Sequence, residues 1–192
     1  MHYELKFVPL QAIMTPEEYA QLKAFARQDG ALLSLLWIGG FACYIIGTTS
    51  PLMGMLSLLL IVGSPFFAVS RLRHFRDEAR QGAISFLRGY AYTIMTFFYA
   101  GLLLAAAIYA YFAFMDNGYL LGKLASTLNS PEGKQLVEAY GLAGQMEANL
   151  KELAAMRPID YAVNMLSINV TTGLLLGVPI AAVARRTVNS QL

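Results

Sequence analysis

The sequence predicts an all-α, polytopic membrane protein with four transmembrane helices, on three observations. Apolar residues make up 57% of the 192 residues and charged residues 14%, against about 45–50% and about 25% in soluble domains. Residues 31–70 contain no Asp, Glu, Lys or Arg. Two further uncharged apolar segments follow at 89–115 and 161–184, each long enough for the roughly 20 residues that a membrane-spanning helix needs.

The first apolar stretch is too long for a single span. As one helix, residues 31–70 would extend about 60 Å at 1.5 Å per residue, twice the hydrocarbon thickness of about 30 Å. The stretch contains the motif GTTSP, in which Pro51 suits the first turn of a new helix. We therefore expect spans at 31–49 and 51–70, joined by a tight hairpin.

A cytoplasmic amphipathic helix is predicted ahead of the first span, within an N-terminal segment at 1–30. Thr15 and Glu18 have the spacing of a capping box, and Pro16 suits the first helical position. Apolar residues recur at helical spacing in TPEEYAQLKAFARQDG, so one face of this helix is expected on the membrane surface or on a partner.

The connection between the third span, 89–115, and the fourth, 161–184, covers 116–160 and is too long for a bare loop. Apolar residues at helical spacing in YLLGKLASTL and SPEGKQLVEAYGLAGQMEANLKELAAM predict short amphipathic helices that cover the bundle. Asp160 is a candidate N-cap for the fourth span. A short tail, 187–192, follows this span.

The distribution of positive charge predicts the orientation of these spans. Ten Lys and Arg residues lie on the side of the termini and four on the other, and the positive side normally faces the cytoplasm. The loop 71–88 carries half of those ten, at Arg71, Arg73, Arg76, Arg80 and Arg88. Both termini are therefore expected in the cytoplasm and 116–160 in the periplasm.

The predicted spans contain no Asp, Glu, Lys, Arg or His that could perform chemistry at membrane depth. Intramembrane Asp, Glu, Lys, Arg or His marks most ion pathways, and a membrane hydrolase needs a base or metal ligands near its substrate. We therefore expect no enzyme activity, no cofactor and no metal site. A net charge of +2 and a lone cysteine, Cys43, also argue against nucleic-acid binding and disulfides.

Uncharged polar residues and small residues are the candidate interior groups. Asn164, Asn169, Thr172 and Thr96 either form hydrogen bonds between helices or line a site for a lipid headgroup or small solute. The motif GLLLG places Gly173 and Gly177 one turn apart, and Gly101 and Ala105 form a looser version. Such spacing predicts a close helix contact, either within the monomer or between subunits of a homo-oligomer.

Several local sequences resemble those of a known family. They lie within HFRDEARQGAISFLRGY, at Arg76–Asp77, Gly82 and Ile84–Ser85–Phe86. With the four-span layout and the closing basic pair, they resemble a bacterial inner-membrane family catalogued as domain of unknown function 4199, over about 31–186. The resemblance implies the bacterial inner membrane and no particular activity. It also implies an envelope setting with a polyprenyl-phosphate-type glycosyltransferase as candidate partner.

Two functional hypotheses follow. The first is a non-enzymatic membrane subunit whose arginine-rich face holds a partner enzyme or anionic lipid, because guanidinium groups suit phosphate and carboxylate. Its candidate binding residues are Arg71, Arg73, Arg76, Asp77, Arg80 and Arg88. The second is a small transporter or lipid-handling protein that carries a neutral or amphipathic molecule in its Asn- and Thr-lined interior.

Overall fold

A computed structural model describes residues 14–186, which form seven helices. Their bounds are α1 Pro16–Gly47, α2 Pro51–Ala79, α3 Phe86–Phe114, α4 Tyr119–Leu128, α5 Pro131–Ala139, α6 Ala143–Ala155 and α7 Pro158–Ala184. Four of them, α1, α2, α3 and α7, are long and apolar enough to cross a membrane. This confirms the predicted all-α, four-span fold. Residues 1–13 of the N-terminal segment and the tail 187–192 lie outside the described residues.

The N-terminal helix and the first span are one continuous helix, α1. Its start is as predicted, because the Thr15 hydroxyl accepts from the Glu18 backbone N–H and Glu18 accepts from that of Thr15. Gly30 does not interrupt it, and a Cβ there would lie 2.7 Å from the Cβ of Tyr99 on α3. The apolar face of the N-terminal part, expected on the membrane surface or a partner, packs within the chain, where Leu22 is buried.

The arginine-rich segment 71–88 is mostly helical, which corrects its description as a loop. Helix α2 continues through the charged residues to Ala79, and only a short turn precedes α3. The turn uses positive φ angles at Gln81 and Gly82. It is tied to the end of α7 by two backbone hydrogen bonds between Ile84 and Arg186, at 2.9 and 3.3 Å. The arginines thus project from packed helices.

The four long helices pack in the order α2, α1, α3, α7, and α2 also contacts α7. We call the end of the bundle that carries residues 71–88 the arginine end, and the opposite end the loop end. At the arginine end α2, α3 and α7 meet closely, since a Cβ on Gly89 would lie 3.5 Å from both Leu72 and Ala181. The aromatic rings of Phe75 and Tyr92 stack beside this contact at 4.9 Å.

The loop end carries the three short helices α4, α5 and α6, which pack mainly on one another. They begin after a turn at Asn117 and Gly118, and Gly141, with φ +64, separates α5 from α6. Arg157, and not Asp160, is the N-cap of α7. Asp160 instead accepts the Arg157 backbone N–H at 2.9 Å, and a side-chain hydrogen bond between the two residues raises the pKa of Arg157.

Candidate functional site

A buried carboxylate lies at the arginine end, where the sequence analysis placed no charged residue inside the bundle. Asp29 on α1 is fully buried. Its Oδ1 accepts a hydrogen bond from Nε of Arg71 at 2.7 Å, and its Oδ2 accepts one from the hydroxyl of Tyr92. About 27 Å of helix separate Asp29 from Gly47 at 1.5 Å per residue, so a 30 Å hydrocarbon layer with one edge at Gly47 would place Asp29 near its other edge.

A second carboxylate, Glu18, joins the N-terminal part of α1 to the residues around the turn. It accepts from Arg80 Nη2 at 2.8 Å and from Arg88 Nη2 at 2.7 Å. Both arginines were predicted to bind a partner or anionic lipid. In the structure their guanidinium groups bond within the chain, which holds α1 against the segment between α2 and α3.

Arg76 also bonds within the chain. It donates to both carboxylate oxygens of Asp77, at 2.7 and 2.9 Å, and to the backbone carbonyl of Ala184 on α7 at 3.1 Å. Arg73 is exposed, whereas the other four predicted arginines are partly buried. Of the six predicted docking residues, Arg73 and Asp77 are the exposed ones.

The two glycines of the GLLLG motif contact α3 closely. A Cβ on Gly173 would lie 2.7 Å from the Cβ of Phe97, and one on Gly177 would lie 2.9 Å from the ring of Tyr90. Farther along the same pair of helices, a Cβ on Gly101 would lie 3.0 Å from that of Asn169. Ala105, the partner of Gly101 in the looser motif, is buried as well. In the structure these small residues lie in a close contact between α3 and α7 of the same chain.

Between the four long helices lies a cavity of about 430 Å³, within the range of small-molecule sites. We call it the bundle cavity. It is lined by aromatic and aliphatic side chains that include Trp37 and Phe97, whose rings meet edge to face at 5.4 Å. Two lining residues on α2 and α7, Ile61 and Ile168, are 51% and 59% exposed. The cavity therefore opens to the outer surface of the bundle between α2 and α7.

The bundle cavity lies near the middle of the spans. Trp37 on its wall is about 15 Å of helix from the end of α1 at Gly47, half the hydrocarbon thickness. On α2 the wall includes Ser64 and Pro65. Proline has no N–H to offer the carbonyl of Ile61 four residues earlier, and the Ser64 hydroxyl donates to that carbonyl at 2.7 Å. The cavity wall thus keeps its backbone polar groups bonded despite the proline.

The four predicted interior polar residues occupy different places. Asn169 and Thr172 line the bundle cavity, whereas Asn164 is exposed and Thr96 is buried in α3. The expected hydrogen bonds between helices do not form at Thr96 and Asn169. Each donates to the carbonyl four residues earlier in its own helix, at 2.9 and 2.8 Å, because a short polar side chain reaches that carbonyl most readily.

Sequence reasoning missed Asp29 and the aromatic wall of the cavity. Asp29 stands two residues before the uncharged stretch. It enters the bundle because α1 continues as a helix through Gly30. Trp37, the single tryptophan of the chain, carried no motif. Within residues 14–186, no cluster of three or more His, Cys, Asp or Glu side chains could hold a metal ion.

A family model described as "Protein of unknown function (DUF4199)" matches residues 28–186. The match begins just before Asp29 and covers the four spans and the connection between the last two. No curated protein and no solved structure matches the chain.

Proposed function

Because this chain belongs to the family of unknown function DUF4199, we propose its function from geometry: it binds a neutral or amphipathic lipid in the bundle cavity. The single observation that carries the proposal is the cavity itself, about 430 Å³ in volume and walled by all four long helices. An apolar site with a few convergent polar groups is the usual form of a small-molecule site. The proposal includes no catalytic step.

The position of the cavity supports a ligand that arrives from the membrane. The opening between α2 and α7 faces the surface that lipid covers, with Ile61 and Ile168 half exposed beside it. The arginine end is closed, since Arg76 on α2 donates to the Ala184 carbonyl on α7. A chain-like molecule can therefore enter sideways, as expected of a lipid-handling protein.

A second candidate function is the docking of anionic headgroups or a partner enzyme, such as a glycosyltransferase, at the arginine end. The observation that favours it is the exposure of Arg73, Arg185 and Arg186 together. Guanidinium groups bind phosphate and carboxylate in a forked geometry, and juxtamembrane cations are attracted to anionic lipid. The paired arginines Arg71, Arg80 and Arg88 contribute less, since their guanidinium groups already bond to acids of the chain.

The setting we propose is the bacterial inner membrane, with the arginine end in the cytoplasm. The excess of Lys and Arg on that side supports the orientation. In this orientation α4, α5 and α6 lie in the periplasm.

The bundle cavity can be tested through Trp37, because this single tryptophan lies in its wall. A brominated stearic acid methyl ester quenches tryptophan fluorescence on contact. We expect saturable quenching when the detergent-solubilised protein is titrated with this probe. Thr172→Phe, which places a ring in the cavity, should weaken the quenching.

Leu175→Phe serves as the matched control, since Leu175 is on the same helix but 69% exposed and outside the cavity wall. The probe should quench the Trp37 fluorescence of this variant as it does in the parent. Quenching that never saturates, and that is equal in the parent and Thr172→Phe, would show only partition of the probe into the micelle and would contradict the proposal.

A further inference from the structure

Asn169 presents an unused hydrogen-bond acceptor at the bundle cavity. The residue is only 8% exposed and belongs to the cavity wall. Its amide nitrogen donates to the carbonyl of Met165 at 2.8 Å, which fixes the orientation of the amide group. Its Oδ1 has no hydrogen-bond partner among residues 14–186.

Thr172 adds a second polar group on the same face of α7. It stands three residues after Asn169, a spacing that places two side chains side by side on a helix. It also lines the cavity, and its hydroxyl forms no hydrogen bond within the described part of the chain. On this face of α7 the cavity therefore offers one carbonyl acceptor and one hydroxyl, which can donate or accept.

Apolar burial does not by itself select one lipid over another at this cavity. Lipid tails are as apolar as the cavity wall, so transfer of a chain from the membrane to the cavity gains little from the hydrophobic effect. A polar atom that faces an apolar medium without a partner costs free energy, and a ligand that supplies the partner removes that cost.

The charge of the wall restricts the ligand further. The described residues of the wall include no Asp, Glu, Lys, Arg or His, and an unpaired ion at this depth is costly. A phosphate or ammonium headgroup does not suit such a site. A hydroxyl does, because it can donate to Asn169 Oδ1 and accept from the Thr172 hydroxyl.

We infer that the bundle cavity selects an uncharged lipid with a free hydroxyl group. This hydroxyl donates a hydrogen bond to Oδ1 of Asn169 and accepts one from the hydroxyl of Thr172. The inference rests on the proposed lipid-binding function and specifies the ligand class.

Two probes that differ in a single donor test it: brominated stearyl alcohol and its methyl ether, titrated against Trp37 fluorescence. The parent should bind the alcohol about threefold or more tightly, since a hydrogen bond in the membrane is worth about 0.6 kcal/mol and tenfold corresponds to about 1.4 kcal/mol. Asn169→Leu should bind both probes with the affinity that the parent has for the ether.

Asn164→Leu is the matched control, because this asparagine of α7 is exposed and outside the cavity wall; it should keep the preference. If Asn169→Leu does not fold, Thr172→Val is measured instead; it removes a donor to which the oxygen of either probe can accept, so it should weaken both probes alike by about threefold, and unchanged affinities would overturn the inference. Equal affinities in the parent, or a preference that survives Asn169→Leu, would overturn the inference and leave the lipid-binding function intact. If the parent binds none of the three probes (the alcohol, the ether and the methyl ester), both the inference and the proposed lipid-binding function are overturned.

Discussion

Asp29 shows how one charged residue is accommodated in an apolar bundle. Its carboxylate has a partner on each side, Arg71 on α2 and Tyr92 on α3, so one residue of α1 joins three of the four long helices. Burying a charge is costly, and the cost is offset only where partners supply good hydrogen bonds. The position near one edge of the hydrocarbon layer lowers that cost further, because charged groups are cheaper there than at the centre.

The substitution Asp29→Asn should destabilise the protein by about 3 kcal/mol, because it leaves the Arg71 guanidinium partly buried without a counter-charge. The midpoint of thermal unfolding in detergent is the measurement. Glu147→Gln on α6, an exposed acid, is the control and should change the midpoint little. An Asp29→Asn midpoint equal to that of the parent would contradict the structural role of the pair.

Arg73 is the residue at which anionic-lipid docking can be tested, since it is exposed and the other arginines of the segment are partly buried. Arg73→Lys keeps the charge and removes the guanidinium fork. We expect it to lower the amount of co-purified anionic lipid without changing membrane insertion or unfolding. Full retention of that lipid, measured by mass spectrometry at equal expression, would reduce Arg73 to an orientation signal.

At the scale of elements, α3 and α7 are held together by small residues that let the backbones approach. Gly173 and Gly177 of α7 face Phe97 and Tyr90 of α3, so the aromatic side chains of α3 pack directly against the backbone of α7. Without a hydrophobic driving force inside the membrane, such close packing is a main source of helix association.

Replacing Gly173 and Gly177 by Leu should therefore destabilise the bundle, by about 1–3 kcal/mol for each overpacked site. Gly39→Leu on α1 is the matched control, because a Cβ there meets nothing within 4 Å. Unfolding midpoints of the purified variants are the measurement. If the double variant unfolds with the midpoint of Gly39→Leu, the contact between α3 and α7 is not as close as described.

At the scale of the whole molecule, the bundle is closed at the arginine end and open at its side. Ionic contacts of α1, α2 and the turn close that end, whereas α2 and α7 leave the bundle cavity accessible between them. Under the proposed function, the ionic contacts at the arginine end stabilise the bundle, and the cavity binds the ligand.

The proposed orientation predicts which residues an impermeant thiol reagent reaches in intact spheroplasts. With Cys43, the only cysteine, replaced by Ala, a cysteine at Lys134 on α5 should react. One at Arg27, exposed near the arginine end, should react only after the membrane is opened. The reverse pattern would show that the loop end faces the cytoplasm.

Local sequence was sufficient for the number of spans. Residues 31–70 are too long and too apolar for anything but two spans, and Pro51 begins α2 where the GTTSP motif predicted. The capping box at Thr15 was also predicted, because caps depend on side chains within a few residues. The spacing of Gly173 and Gly177 indicated a close helix contact, but it did not indicate which helix they contact.

Tertiary structure alone decided which partner each polar residue has. Charge counting assigned the arginines to one side of the membrane, but their pairing with Asp29 and Glu18 required α1, α2 and the start of α3 to be brought together. The cavity likewise has no local signal, since its wall comes from four helices distant in sequence. The physical reason is that hydropathy and capping act over one or two helical turns, whereas ion pairs and cavities depend on how separate helices pack.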